Sequence, residues 1–288
     1  MFRILMWNFK WLFMVKLWNL PVLILAAFAS SCSMIGEDRD ECPCWYTIDL
    51  TEVDGRVENL RLWLFDHRGN TLESMELDAP PYGKYEVKVE RGRVFCSVWG
   101  NISEKSRLHD DGTVGSYYSK ADSCSSDPLF NYMAVVDADS DLVCDTVRLR
   151  KEYAVVDFTL KGTIGSDGPY ELETVMSTVG RYLDGGYIRG LSNTYSYSEE
   201  IEEGIYKFGF DMMRQENMDE LKLRIFSLAG GKKMVVKEFP LGKWLLMSGY
   251  DATALDMADI SVVLDLAVGQ LSVRTEDWQS ALHVGIEI

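Results

Sequence analysis

The residue with the clearest chemistry is Cys32, which directly follows the small residues Ala29, Ser30 and Ser31. Upstream of them lie three basic residues, no acid, and an uncharged run that begins at Leu17, which is the layout of a secretory signal. The uncharged stretch from Leu17 to Ser31 has 15 residues, fewer than the roughly 20 that a membrane-spanning helix needs. A cysteine after small residues is typical of a bacterial lipobox, although Ala29 stands where leucine is usual. We therefore predict signal cleavage between Ser31 and Cys32 and lipid attachment at Cys32.

Two other interpretations of the N-terminal segment stay open. One is an ordinary signal peptide with an incidental cysteine, and the other is an uncleaved anchor helix, which Lys16 and Pro21 disfavour by interrupting the apolar run. Acylation would hold a water-soluble body by lipid tails, with ~0.8 kcal/mol gained for each buried methylene. Residues 32–44 would then form a polar tether. Its acidic run, residues 37–41, resembles the surface-export signals of some Gram-negative lipoproteins, or is a solvated linker.

Five cysteines remain after Cys32, and an exported protein meets an oxidising compartment in which disulfides form. An odd number allows at most two bridges and one thiol, and the pairing cannot be read from the sequence. The candidate disulfide residues are Cys42, Cys44, Cys96, Cys124 and Cys144. A metal site is disfavoured, because Cys42-Pro43-Cys44 lacks zinc-knuckle spacing and the three histidines lie far apart, at His67, His109 and His283. We predict no metal and no cofactor.

The common catalytic signatures are missing from the sequence. It contains no Gly-x-Ser-x-Gly elbow, no cysteine-protease signature and neither of the glycine-rich phosphate loops. Residues 137–141 superficially suggest a calcium loop, but Leu142 stands where the turn glycine belongs and Arg148 where the bidentate glutamate would be. Paired carboxylates for glycoside hydrolysis stay open, because 45 acids are present and their separation is a property of the fold. We predict a protein that is not an enzyme.

The charge and the aromatic content of the chain limit the classes of partner that it can bind. Cleavage would leave 257 residues with 26 bases against 45 acids, a net charge of −19. Such a surface disfavours nucleic acid, whose phosphates need clustered Lys and Arg. Tryptophans outside the signal could stack on sugars, but Trp63 and Trp99 fall on strand faces where core packing is the ordinary explanation.

Short runs in which apolar residues alternate with their neighbours fill most of the chain, with Gly, Asn and Asp between them, and this pattern predicts antiparallel strands with one buried face. The predicted strands are Trp45–Leu50, Leu60–Phe65, Tyr85–Glu90, Val94–Val98, Tyr132–Val136, Val143–Leu149, Ala154–Leu160, Tyr206–Phe210, Leu221–Ile225, Met234–Phe239, Val262–Leu266, Leu271–Val273 and Val284–Ile288. We expect an all-β chain of two tandem antiparallel β-sandwiches, residues 45–149 and 150–288.

The polar stretches between these strands predict loops and few helices. Residues 103–126 lose the alternation and predict a long loop with room for a short helix, and residues 165–203 predict long connections. One short helix is expected within residues 243–257. The last residues, 283–288, alternate to the end of the chain. They predict either an edge strand of their own sheet or a strand exchanged with another subunit.

Several motifs in order resemble the FimB-type fimbrillin anchor family of type V pili, and together they span essentially the whole mature chain. They are the lipobox cysteine Cys32, Cys42-Pro43 at the first strand, Leu60–Gly69 (LRLWLFDHRG), Gly92–Asn101 (GRVFCSVWGN), Arg150 with Ala154, and Asp277-Trp278. Each motif is a loose strand signature, and the identification depends on their order and spacing.

The resemblance implies two transthyretin-like β-sandwich domains and a non-enzymatic minor subunit, held by lipid, that fixes the base of a fimbrium to the outer membrane on the cell surface. It implies partners among fimbrillins or other fimbrial subunits, joined by donor-strand exchange. A surface glycan-binding lipoprotein built from the same kind of sandwiches is the alternative, and it would need exposed, coplanar aromatic residues. A surface hydrolase is a third hypothesis and would need a cleft with converging acids.

Overall fold

The computed structural model describes residues 42–121, 125–162, 169–197, 199–228, 231–266, 268–275 and 282–285. The predicted signal, Cys32 and Cys124 lie outside these residues. The described chain is almost entirely β-structure, so the predicted all-β fold class is confirmed. It contains no helix long and apolar enough to cross a membrane.

The described part contains twenty strands, one α-helix and one 3₁₀ turn. The strands of the first half are β1 (Cys44–Asp49), β2 (Leu60–Phe65), β3 (Thr71–Leu77), β4 (Lys84–Val89), β5 (Arg93–Gly100), β6 (Ser106–His109), β7 (Tyr117–Lys120), β8 (Phe130–Asp137), β9 (Leu142–Thr146) and β10 (Arg150–Lys151). Those of the second half are β11 (Tyr153–Lys161), β12 (Tyr170–Tyr182), β13 (Tyr187–Tyr197), β14 (Glu199–Glu202), β15 (Ile205–Met213), β16 (Lys222–Ser227), β17 (Met234–Phe239), β18 (Ile260–Asp265), β19 (Gln270–Thr275) and β20 (Leu282–Gly285). The 3₁₀ turn is Met218–Glu220, and α1, Leu241–Met247, begins two residues before the range predicted for a short helix.

The two halves repeat one sheet topology. In the first half, β1 lies between β4, which is antiparallel to it, and β9, which is parallel, while β2 pairs with both β3 and β5. In the second half, β11 lies in the same way between β15 and the parallel strand β18, while β12 pairs with both β13 and β16. The parallel pairs depart from the predicted antiparallel arrangement. They are feasible because a long stretch of chain separates the paired strands, as a parallel connection requires.

Two predicted loops are strands instead. Residues 103–126 contain β6 and β7, and residues 165–203 contain β12, β13 and β14. The alternation in β12 is hidden because the strand is buried on both faces and several of its buried residues are charged. Glu173 in β12 is paired with Arg224 at 3.3 Å, so a charge that would normally mark a solvent-facing position is instead placed in the interior.

The β6–β7 hairpin comes from the first half of the chain and pairs with β12 of the second half. Ser119 of β7 lies opposite Gly180 of β12, where a Cβ would overlap the carbonyl oxygen of Tyr118. Only glycine therefore permits this close approach of the two backbones.

Three hydrophobic clusters fill the described chain. One lies between the two sheets of the first half and a second between those of the second half. The third packs Trp63 and Trp99, from the outer face of the β2–β5 sheet, against Tyr118 of the hairpin, with ring centroids 6.0 and 5.5 Å apart. Trp63 is 4% exposed and Trp99 fully buried, so the prediction that they are core residues is confirmed. The hairpin thus joins the two halves through backbone pairing and apolar contact.

A buried carboxylate lies where the chain passes from one half to the other. Glu152 contacts Arg181 of β12 at 2.7 Å, Arg214 after β15 at 3.2 Å and Arg150 of β10 at 2.5 Å. The remaining guanidinium N–H groups of Arg214 donate to backbone carbonyls of Lys151, Ala252, Ala254 and Leu255. Burial lowers the pKa of Arg214, and the charge of Glu152 opposes that shift.

The substitution Glu152→Gln removes the only charge that compensates these buried guanidinium groups at close range among the described residues. Breaking a buried pair by removing one partner costs about 3–5 kcal/mol. We expect a loss of that size in the free energy of unfolding, measured by urea denaturation. Glu216→Gln is the matched control, because Glu216 pairs with the largely exposed Arg189 and its loss should change stability little. Equal effects of the two substitutions would contradict the central role of Glu152.

Candidate functional site

The described candidate cysteines lie at separate places in the fold. Cys44 on β1 and Cys96 on β5 are buried thiols in the first core, whereas Cys144 on β9 is an exposed thiol. Cys42 is exposed at the start of the described chain, and Cys124 lies outside it. Because Cys124 and the lipid cysteine are not described, disulfide pairing and lipid attachment both stay predictions.

The thiols differ in their expected reactivity, because the thiolate is the nucleophile. Burial raises the pKa of Cys96 to about 12 and also raises that of Cys44. In reduced protein at pH 8, iodoacetamide should therefore modify Cys144 and leave Cys44 and Cys96 intact until urea unfolds the chain. Peptide mass mapping measures this order. Modification of Cys96 at the rate of Cys144 in native protein would show that the first core is not packed as described.

The described residues considered for metal or sugar binding lie in other surroundings. No group of three or more His, Cys, Asp or Glu side chains within the described ranges is placed to hold a metal ion. The acidic turn 137–141 is instead bound by Arg91, which donates to the carbonyl oxygen of Asp139 and the carboxylate of Asp141. The burial of Trp63 and Trp99 weakens the glycan-binding alternative, which needs exposed aromatic residues.

The feature that can support function is the open edge of β8. Only its first two residues pair with β10, through Asn131 opposite Arg150 and Phe130 opposite Lys151. From Tyr132 to Asp137 the strand has β5 on one side and no paired strand on the other among the described residues. An unpaired strand edge presents a row of N–H and C=O groups that another strand can bind.

Most other edge strands carry charges that disfavour strand addition. The edge strand β4 has Lys84, Glu86 and Lys88 along its six residues, and β14 consists of three glutamates and an isoleucine. The edge strands β17 and β9 also expose apolar side chains. However, β17 carries Lys237 and Glu238 in its second half, and β9 has only five residues.

The open part of β8 is apolar by comparison. Its outward residues Met133 and Val135 are 38% and 58% exposed, and the first charge along the open edge is Asp137 at its end. These two side chains border an apolar cavity of about 150 Å³ whose walls also include Phe65, Phe95, Val114 and Leu183. The stretch therefore combines free backbone hydrogen-bonding groups with an apolar pocket, which are the two parts of a strand-addition site.

Beneath this edge, hydrogen bonds connect the two sheets of the first half. The hydroxyl of Tyr132 on β8 donates to the carboxylate of Asp145 on β9 at 2.8 Å, and Tyr46 on β1 donates to the same carboxylate at 3.0 Å. Burial, followed by the hydrogen bond to Asp145, raises the pKa of Tyr132. These contacts hold β8 against β9, although within the described ranges neither strand has a paired neighbour on its outer side along most of its length.

The substitution Tyr132→Phe removes one of these hydrogen bonds and leaves the ring in place. A hydrogen bond to a charged group contributes about 1.5–3 kcal/mol, so we expect a loss of that order in the free energy of unfolding, with faster amide hydrogen exchange along β8. Tyr85→Phe on β4 is the control. Unchanged stability of Tyr132→Phe would show that the contact does not hold the edge.

The predicted C-terminal strand is described only in part. Residues 282–285 form β20, which pairs with β19 at the end of a six-stranded sheet, and residues 286–288 lie outside the description. This position agrees with the predicted edge strand in its own sheet, while exchange with another subunit stays a prediction.

The sequence predicted β8 as a strand but not as an open edge, because pairing is decided by residues distant along the chain. The absence of charge between Asn131 and Asp137 was the one signal of it.

The two-part, all-β fold of this chain is similar to the folds of solved structures that include a fimbrial anchor protein and candidate adhesins. The fimbrial anchor protein Mfa2 from Porphyromonas gingivalis matches with a TM-score of 0.63 at 14% identity, over 82% of this chain and 98% of that one. A candidate polysaccharide-binding protein from Bacteroides thetaiotaomicron matches with a TM-score of 0.64 at 15% identity, over 84% and 98%. A candidate adhesin from the same species matches with a TM-score of 0.60 at 13% identity, over 87% and 100%.

No family model matches the sequence, and no curated protein does. At these identities the structural likeness establishes a shared fold. The predicted resemblance to fimbrial anchor proteins is therefore confirmed at the level of the fold.

Proposed function

We propose that this chain is an outer-membrane lipoprotein that anchors and assembles fimbriae as a non-enzymatic minor subunit. Acylated Cys32 supplies the membrane attachment at the base of the fimbrium, and the sandwiches supply a donor-strand-type joint with a fimbrillin. The observation that carries the proposal is the apolar open edge of β8 on a fold shared with a fimbrial anchor protein.

The joint would use the backbone of β8 for affinity and its side chains for selection. A strand laid along Tyr132–Asp137 would complete the row of hydrogen bonds that β10 begins at Asn131. Apolar side chains at alternate positions of that strand would face Met133 and Val135, because successive side chains of a strand point to opposite sides. The chemistry therefore favours a partner segment that alternates apolar and polar residues.

A lysine at the open edge tests the joint. Val135→Lys places a charge where an added strand would bury apolar surface, while the exposed position leaves folding stability within ~0.5 kcal/mol. We expect fimbrial subunits to stop co-purifying with the protein from membranes. Val235→Lys is the matched control, because Val235 is 62% exposed on another edge strand, β17. Loss of co-purification with Val235→Lys and not with Val135→Lys would show that the joint lies elsewhere.

The lipid attachment is tested separately. In cells fed a palmitate analogue, the wild-type chain and Cys42→Ala should be labelled, whereas Cys32→Ala should not. Cys32→Ala should also release the protein, and with it the fimbriae, into the medium. Cys42 is a suitable control because it lies ten residues further along the same tether. Labelling of Cys32→Ala, or its full retention in the membrane fraction, would refute the attachment.

A further inference from the structure

A second cavity, which shares Met133 and Asp184 with the apolar one beside β8, is lined by arginines. It has a volume of about 520 Å³ and lies between the first half of the chain, the β12–β13 turn and the loop after α1. Its walls include Arg148, Arg150 and Arg181, with Met133 and Leu255 as apolar surfaces and Asp184 as the one acid. Three arginines in one cavity stand out in a chain whose net charge is −16.

The three arginines differ in depth. The side chain of Arg181 is 5% exposed, that of Arg150 is 33% exposed and that of Arg148 is 74% exposed. We refer to the wall at Arg181, the most buried of the three, as the floor of the cavity.

At the floor, Arg181 has hydrogen-bonding capacity to spare. One terminal nitrogen donates to Glu152, and the guanidinium carbon lies 4.0 Å from the ring centre of Tyr187. Its Nε, although buried, has no hydrogen-bond partner among the residues that the structure describes. Buried donors are normally satisfied, and within the described ranges the Nε of Arg214 beside the same carboxylate is unpartnered as well. The guanidinium groups around Glu152 therefore have more donors than acceptors, and Arg150 and Arg181 of this group line the cavity.

The local charge indicates how much negative charge the ligand carries. Four arginines at or behind the cavity, the three in its wall and Arg214, face three acids, Glu52, Glu152 and Asp184. One positive charge is left in excess. That balance suits a monoanion better than a phosphate dianion, which would leave a negative charge without compensation in a partly buried site.

We propose that this cavity is a binding site for a small organic monocarboxylate. Guanidinium groups bind carboxylates through paired N–H donors, and the volume falls within the range of small-molecule sites. A carboxylate alone would fill only part of the space, so the ligand carries a body that contacts Met133 and Leu255. The cavity borders the strand-addition joint and shares Met133 with it, but binding of a small carboxylate needs no partner strand, so either proposal can fail without the other.

Calorimetric titration of the full chain tests the site with four defined probes. Glucuronate carries one carboxylate on a ring, glucose has the same ring without it, phosphate is mostly a dianion at pH 7.5, and N-acetylglutamate amide mimics an acidic side chain of a protein. We expect glucuronate to bind and glucose not to bind. Stronger binding of phosphate than of glucuronate would overturn the monocarboxylate assignment, and stronger binding of N-acetylglutamate amide would assign the site to a partner protein instead.

A matched pair of arginine variants ties the binding to the cavity. Arg148→Gln should weaken glucuronate binding at least about tenfold, since it removes one charge-assisted contact. Arg189→Gln should leave it unchanged, because Arg189 is equally exposed and ion-paired but lies outside this cavity. Equal weakening by both variants, or no binding of glucuronate to the wild-type chain at millimolar concentration, would overturn the proposal.

Discussion

The carboxylate of Glu152 binds three arginines that reach it from different parts of the chain, at a place closed to water. Removing such charges from water costs several kcal/mol for each ion, and the cost is recovered only if the surrounding donors and acceptors are placed well. Arg214 meets part of this requirement by donating to four backbone carbonyls on two segments, whereas its Nε and that of Arg181 are buried without a hydrogen-bond partner among the described residues. The ion pairs of Glu152 connect the passage between the halves to β12, the strand that lines the arginine cavity at Arg181 and pairs with the β6–β7 hairpin.

Repetition of one topology explains much of the remaining architecture. Each half places its first strand between an antiparallel and a parallel neighbour and packs that sheet against a second one. The halves differ in what is added. The second half receives the β6–β7 hairpin and continues into β19 and β20, whereas in the first half β8 is covered only along two residues by β10. The open edge belongs to the repeated plan, because β17, which takes the same place beside β16, is also an edge strand of the described sheet.

Alternation predicted the strands in which one face is buried. Leu60, Leu62 and Leu64 point into the first core and were correctly placed on β2. The same pattern failed for β12, where Glu171 and Glu173 are buried with partners, because a charged residue gives the same sequence signal whether it is solvated or paired inside. The sequence analysis missed the β6–β7 hairpin for another reason. Its strands have four residues each, too few for a period to show, and their partner β12 follows about sixty residues later in the chain.

The candidate site was predictable only in part for a similar reason. The lipid cysteine was identified from neighbours in the sequence and stays a prediction, since it lies outside the described residues. An open strand edge, by contrast, is defined by which strand does not pair beside it. The arginine cavity combines Arg148 and Arg150 with Arg181, some thirty residues later, and nothing in the local sequence relates them. Features that depend on distant residues need the fold before they can be found.

The parallel pairing of β1 with β9 has a mechanical consequence. The chain enters β1 at the same end of the sheet as it enters β9, with Trp45 opposite Leu142 and Asp49 opposite Thr146. A pull on the residues before Cys44, resisted by the chain that leaves β9 towards the second half, acts along the strands in opposite directions. All the hydrogen bonds between the two strands then bear the force at the same time, in shear, instead of breaking one after another from one end. A body loaded in this way resists extraction of its first strand far better than a hairpin pulled apart from its open end.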